Sequence, residues 1–158
     1  MREPRRTGGA RAPLFDRLVD LDPEAAEEAE PLRVLDRAGL RASVRRELER
    51  LLNTRCPWPE PALAGRPRTV LEYGMPDFSH LYARGPAARG EIAGMVERTV
   101  AAYEPRLHRP RAVVEEDAGS ERRLTVRIEG VLVVGEVQEA VSFSELPLEG
   151  WPPAGSRP

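Results

Sequence analysis

An α+β fold, with two main helices packed on a small three-stranded antiparallel sheet and flexible termini, is predicted by where prolines are missing and by how the apolar period changes there. The chain has 158 residues and 16 prolines. Its proline-free windows 32–56, 87–104 and 111–146 are the stretches open to regular structure. The first two carry apolar residues at helical spacing, and the last switches to alternation. A sheet of so few strands buries little alone and needs the helices on one face to make a core.

Residues 1–13 are arginine-rich and lead into no apolar segment, so they read as a flexible arm. Leu14, Phe15 and Leu18 then form an apolar triad at helical spacing, too short to be stable alone and expected to dock. Between Asp20 and Glu30 lie six acids and no arginine, which suits a solvated linker or a short exposed helix. Leu40, Val44, Leu48, Leu51 and Leu52 recur at i, i+4, i+8, i+11 and i+12, the signature of an amphipathic helix ending near Asn53-Thr54-Arg55. Four prolines from Pro57 to Pro67 predict an irregular loop. Thr69 to Tyr73 and Asp77 to Leu81 predict a turn or single short helix.

Pro86 suits a first helical position, and Ile92, Met95, Val96, Thr99, Val100 and Tyr103 mark the buried face of a second helix that Pro105 ends. Ala112-Val113-Val114 predicts a strand, and Asp117 to Ser120 a turn. Leu124, Val126 and Ile128 alternate with polar residues in a second strand, where Gly130 predicts a bulge or bend. Val141 and Phe143 alternate in a third. Residues 147–158 are expected to be a disordered tail, leaving 14–146 as a single domain.

A formal net charge of −2 offers no clustered positive excess for nucleic acid. No run approaches the eighteen or so apolar residues of a membrane helix. The lone Cys56 makes no internal disulfide, which fits a reducing compartment and a cytoplasmic location. All 24 basic residues are arginine, whose planar fork suits carboxylates and carbonyls at interfaces.

Catalytic patterns are weak. Cys56 with His80 or His108 has no nucleophile–base spacing, and this set falls short of a zinc site. No phosphate-cradling glycine loop follows a strand. Glu72, Asp77 and Glu104 are available as a hydrolytic carboxylate pair, but aromatic residues are only 5% of the chain, few for a sugar cleft. No catalytic residue, metal or cofactor is therefore assigned. The segment that stands out is Tyr103-Glu104-Pro105-Arg106-Leu107, an acid and an arginine flanking a rigid proline. It reads both as an internal ion pair fastening a corner and as a fork that a partner engages.

Pro13-Leu14-Phe15-Asp16-Arg17-Leu18, Leu51-Leu52-Asn53-Thr54-Arg55, Tyr73-Gly74-Met75-Pro76-Asp77 and Glu104-Pro105-Arg106-Leu107, in this order, resemble the TssE family of type VI secretion baseplate subunits. These are relatives of the small "lysozyme-like" wedge protein of contractile phage tails. The resemblance spans about residues 14 to 146, with Met75 where the family pattern has leucine. It implies a structural, non-enzymatic wedge subunit in a cytoplasmic baseplate docked at the inner membrane. It implies contact with the wedge subunits TssF and TssG, and initiation of the sheath, built of TssB and TssC, through strand pairing. The family's acid-proline-arginine triplet falls on Glu104, Pro105 and Arg106. The pairing strand is expected around Val141 to Glu145, with Val141 and Phe143 as its site residues, or to be its neighbour, since an exposed sheet edge is a template for strand addition. A phage-tail or extracellular contractile particle is the alternative setting, and a peptidoglycan hydrolase the competing class.

Overall fold

The computed structural model describes residues 10, 11, 13, 18, 34–82, 85–116, 123–135 and 137–149. The chain divides into two compact units, Met1–Arg46 and Glu47–Pro158. In the first, β1 (Ala10–Arg11) pairs antiparallel with β2 (Val34–Leu35), so two residues of the stretch read as an arm lie in a strand. Helix α1 (Arg37–Leu52) follows. Asp36 caps it, because its Oδ1 accepts the Gly39 N–H at 2.7 Å. Leu40 and Val44 are buried. Leu14, Phe15 and the acidic stretch lie outside the described residues, and Leu18 is exposed.

The second unit opens with the end of α1, where Leu48, Leu51 and Leu52 are buried as their spacing predicts. The proline-rich stretch is not wholly irregular. A one-turn helix, α2 (Glu60–Leu63), forms there with Pro61 in its first turn, where a missing N–H costs nothing. A 3₁₀ turn (Val70–Glu72), the short helix α3 (Ser79–Tyr82) and a second 3₁₀ turn (Gly85–Ala88) lead to α4 (Arg89–Tyr103). The buried face of α4 is Ile92, Met95, Val96, Thr99 and Val100. α4 lies against the first strand of the sheet.

That sheet has the order β3 (Leu107–Glu116), β4 (Arg123–Val134), β5 (Val137–Glu149), all antiparallel. Its outer strands are longer than the apolar pattern suggests. β3 starts before Pro110, and β5 runs on through Pro147 with Leu146 and Leu148 buried. Proline is tolerated in both because both are edge strands. The predicted turn at 117–120 and the chain beyond 149 lie outside the described residues.

Gly130 does not break β4. Leu124, Val126, Ile128 and Leu132 stay on one buried face, and the irregularity sits opposite, in β3, between His108 and Arg111. There β3 has one residue more than β4, and Arg109 takes φ 52°. Gly130 is needed for close approach: a Cβ there would lie 2.8 Å from Leu107 Cδ1 and 3.0 Å from the His108 carbonyl oxygen. β5 has its own bulge, between Phe143 and Leu146, where Glu145 takes φ 57°. The extra residue re-phases the strand, so Val141 and Phe143 before it and Leu146 and Leu148 after it all face the core.

Candidate functional site

The corner between α4 and β3 is built by Pro105. The Glu104 N–H makes the last helical bond, to the Val100 carbonyl at 2.9 Å, and the Leu107 N–H donates back to the Glu104 carbonyl at 3.1 Å. That tight turn folds Arg106 onto Glu104. Arg106 Nε donates to Oε1 at 2.7 Å, Nη2 to Oε2 at 2.6 Å, and the Arg106 backbone N–H to Oε1 at 3.1 Å. Glu104 is only 3% exposed, so its charge is tolerable because the bidentate guanidinium neutralises it. The Arg106 carbonyl accepts the Val133 N–H at 2.8 Å, tying the corner to β4.

Behind the corner, the Tyr103 hydroxyl donates to the Thr69 carbonyl at 2.9 Å, and the Tyr73 and Tyr103 rings meet edge-to-face at 5.2 Å. Burial pushes the pKa of both phenols up, and for Tyr73 the nearby Glu47 carboxylate acts in the same direction.

Two of the sequence motifs form one structure. The Met75 N–H donates to the Thr54 carbonyl and the Cys56 N–H to the Met75 carbonyl, each at 2.8 Å, which makes a parallel bridge between Arg55 and Met75. Gly74 is required beside it. It has φ 109°, and a Cβ there would lie 2.3 Å from the Thr54 carbonyl oxygen. Arg55 Nη2 reaches Asp77 Oδ2 at 2.8 Å, while Asp77 Oδ1 accepts from the Ser79 N–H at 2.9 Å and from the Ser79 hydroxyl. The Ser79 hydrogen bonds are the main reason the Asp77 carboxyl is held below its usual pKa.

The two edges of the sheet differ. On the outer side of β3, the Ala112 N–H is taken by Glu97 Oε1 of α4 at 3.0 Å, and Pro110 has no N–H to offer. On β5, Asn53 Nδ2 at the end of α1 donates to the Pro147 carbonyl at 3.0 Å, closing the strand's far end. Between the β4–β5 turn and the bulge lies the regular segment 137–143. Because the Val133 N–H points to the β3 side, alternation along β4 turns the N–H groups of Ile128, Gly130 and Leu132 toward β5. Their partners Phe143, Val141 and Glu139 therefore bond inward, and Gln138, Ala140 and Ser142 present N–H and C=O to the outer edge.

Glu104, Pro105 and Arg106 thus meet one another. Val141 and Phe143 stand apart from them, across β4, with buried side chains, so the residues facing outward are their neighbours Ala140 and Ser142. Glu97 and Asn53, which close edges, carry no sequence signal, because each acts on a backbone group distant along the chain. Among the catalytic candidates, Cys56 is buried while His80 and His108 are exposed. Each carboxylate weighed for hydrolysis holds a local contact: Glu72 with Thr69, Asp77 with Ser79 and Arg55, Glu104 with Arg106. Among the described residues no group of His, Cys, Asp and Glu is placed to hold a metal, and no helix is long and apolar enough to cross a membrane.

A helical corner clamped by an ion pair thus leads into a small sheet whose β3 edge is met by Glu97 at Ala112. Residues 38–136 match the family model of the baseplate wedge protein gp25, and the chain belongs to that family. A chain from the solved structure "The baseplate complex from the type VI secretion system" is similar at 19% identity and a TM-score of 0.47, covering 66% of this chain and 91% of that one. Comparison with proteins of curated function finds no match.

Proposed function

We propose that this chain is a TssE-type wedge subunit of a type VI secretion baseplate, working by protein–protein contact and not by catalysis. The Glu104-Pro105-Arg106 corner shapes the contact with the wedge subunits TssF and TssG. The outer edge of β5 takes a strand from the first ring of TssB–TssC sheath. The assembly forms in the cytoplasm and docks at the inner membrane. Family membership and the four ordered motifs support the wedge role. The observation that carries the sheath role is the unequal pair of sheet edges: Glu97 and Pro110 obstruct β3, while β5 turns Gln138, Ala140 and Ser142 outward.

Ser142→Pro removes one outward N–H and leaves the bonds to β4 in place. The expected outcome is a folded protein that joins wedge subunits but no longer supports sheath assembly in cells. Sheaths of normal length in this variant would refute the pairing role. A cell-wall turbidity assay separates this reading from a peptidoglycan hydrolase, with no clearance expected. The genes beside this one distinguish a secretion system from a phage tail or extracellular particle.

A further inference from the structure

Val70 and Leu71 are 86% and 73% exposed, two adjacent bulky aliphatic side chains on a short turn. Single exposed aliphatics are ordinary. This pair differs in how firmly polar groups hold it outward. Thr69 Oγ1 accepts the Leu71 N–H at 3.2 Å, and Glu72 Oε2 accepts the Thr69 N–H at 2.9 Å and the Thr69 hydroxyl at 2.6 Å, a closed capping box. The Thr69 carbonyl is in turn bound by the Tyr103 hydroxyl at 2.9 Å, next to Glu104 in the chain. A tip fixed in advance loses little conformational entropy when it inserts into a partner.

Its flank is positive. Exposed Arg66 and part-buried Arg68 lead into the turn, and the Glu72 carboxylate is turned back onto Thr69. We infer that Val70 and Leu71 form a plug that enters an apolar pocket rimmed by carboxylates on a neighbouring, non-identical wedge subunit. The inference rests on the proposed wedge contact at the Glu104–Arg106 corner, to which Tyr103 fastens the plug. A second copy of this chain suits the tip poorly, because a two-fold contact would set arginine against arginine. An anionic membrane suits it poorly too, since two side chains bury too little to anchor a protein.

The test is affinity of the full chain for the co-expressed TssF–TssG pair. Val70→Ser with Leu71→Ser is expected to weaken binding about thirtyfold or more, the scale of a hot-spot loss, with an unchanged melting temperature. Arg66→Glu is expected to slow association and flatten its salt dependence. Affinity of the double variant within about twofold of the unaltered chain overturns the plug. If Arg106→Lys still weakens the complex in that case, the corner reading survives. Binding of the unaltered chain to phosphatidylserine vesicles, or its self-association, overturns the plug if the double variant abolishes it. No binding of the unaltered chain to the pair overturns the wedge contact and the plug together.

Discussion

The two edges of one small sheet are treated differently. β3 is covered from its own neighbourhood: α4 immediately precedes it, and Glu97 reaches across to the Ala112 N–H. β5 is the last strand in the sheet, and Asn53 meets its far end at the Pro147 carbonyl. Both edges carry a bulge and a proline, devices that discourage unwanted pairing. On β5 they sit beyond Phe143 and leave the segment before it regular. An edge is therefore specified backbone group by backbone group, and neighbouring residues on one strand have opposite duties.

Moving a proline by one residue along β5 separates the two duties most strongly. Val141 bonds inward to β4, so Val141→Pro is expected to cost about 3 kcal/mol or more in urea denaturation, whereas Ser142→Pro should cost under about 1 kcal/mol. Equal losses would show that the outward assignment of Ser142 is wrong.

Next is the corner that launches β3. Arg106→Ala strands a buried carboxylate and should destabilise by roughly 3 kcal/mol in the same measurement, with Arg106→Lys recovering part of the loss because it keeps the charge without the fork. Smaller again, Glu97→Ala should cost about 1 kcal/mol and speed hydrogen exchange at the Ala112 amide, while amides on β5 are unmoved. An unchanged Ala112 rate would mean that Glu97 does not guard this edge.

The least effect is expected from alkali. The raised pKa of Tyr73 and Tyr103 favours the neutral phenols in the folded state. Their contribution is complete below about pH 10, the phenol value in the unfolded chain, and fades as pH rises through the higher folded values. A melting temperature measured upward from pH 9 should fall less steeply in Tyr73→Phe than in the unaltered chain.

Much of this was readable from residue order. The leucines of α1 and the buried face of α4 follow a helical period, so their burial is a local consequence of spacing. The acid-proline-arginine corner was legible because its paired acid and arginine lie within three consecutive residues. What escaped was the length of the edge strands, since a proline ends a helix but not an edge strand, and the role of Gly130, whose reason is the approach of Leu107. Val141 and Phe143 were found by alternation, a pattern that reports which side chains go inward and says nothing about which backbone groups face a partner.

Residue order alone determined the α+β class, the main helices and the ion-paired corner, because these rest on periodicity and on neighbours in sequence. Tertiary structure decided how Thr54 meets Met75, which sheet edge is guarded, and that Val70 and Leu71 stand in solvent. The first two depend on contacts between residues far apart along the chain, and the third on how a locally capped turn is fastened by Tyr103, so neither spacing nor composition carries a signal.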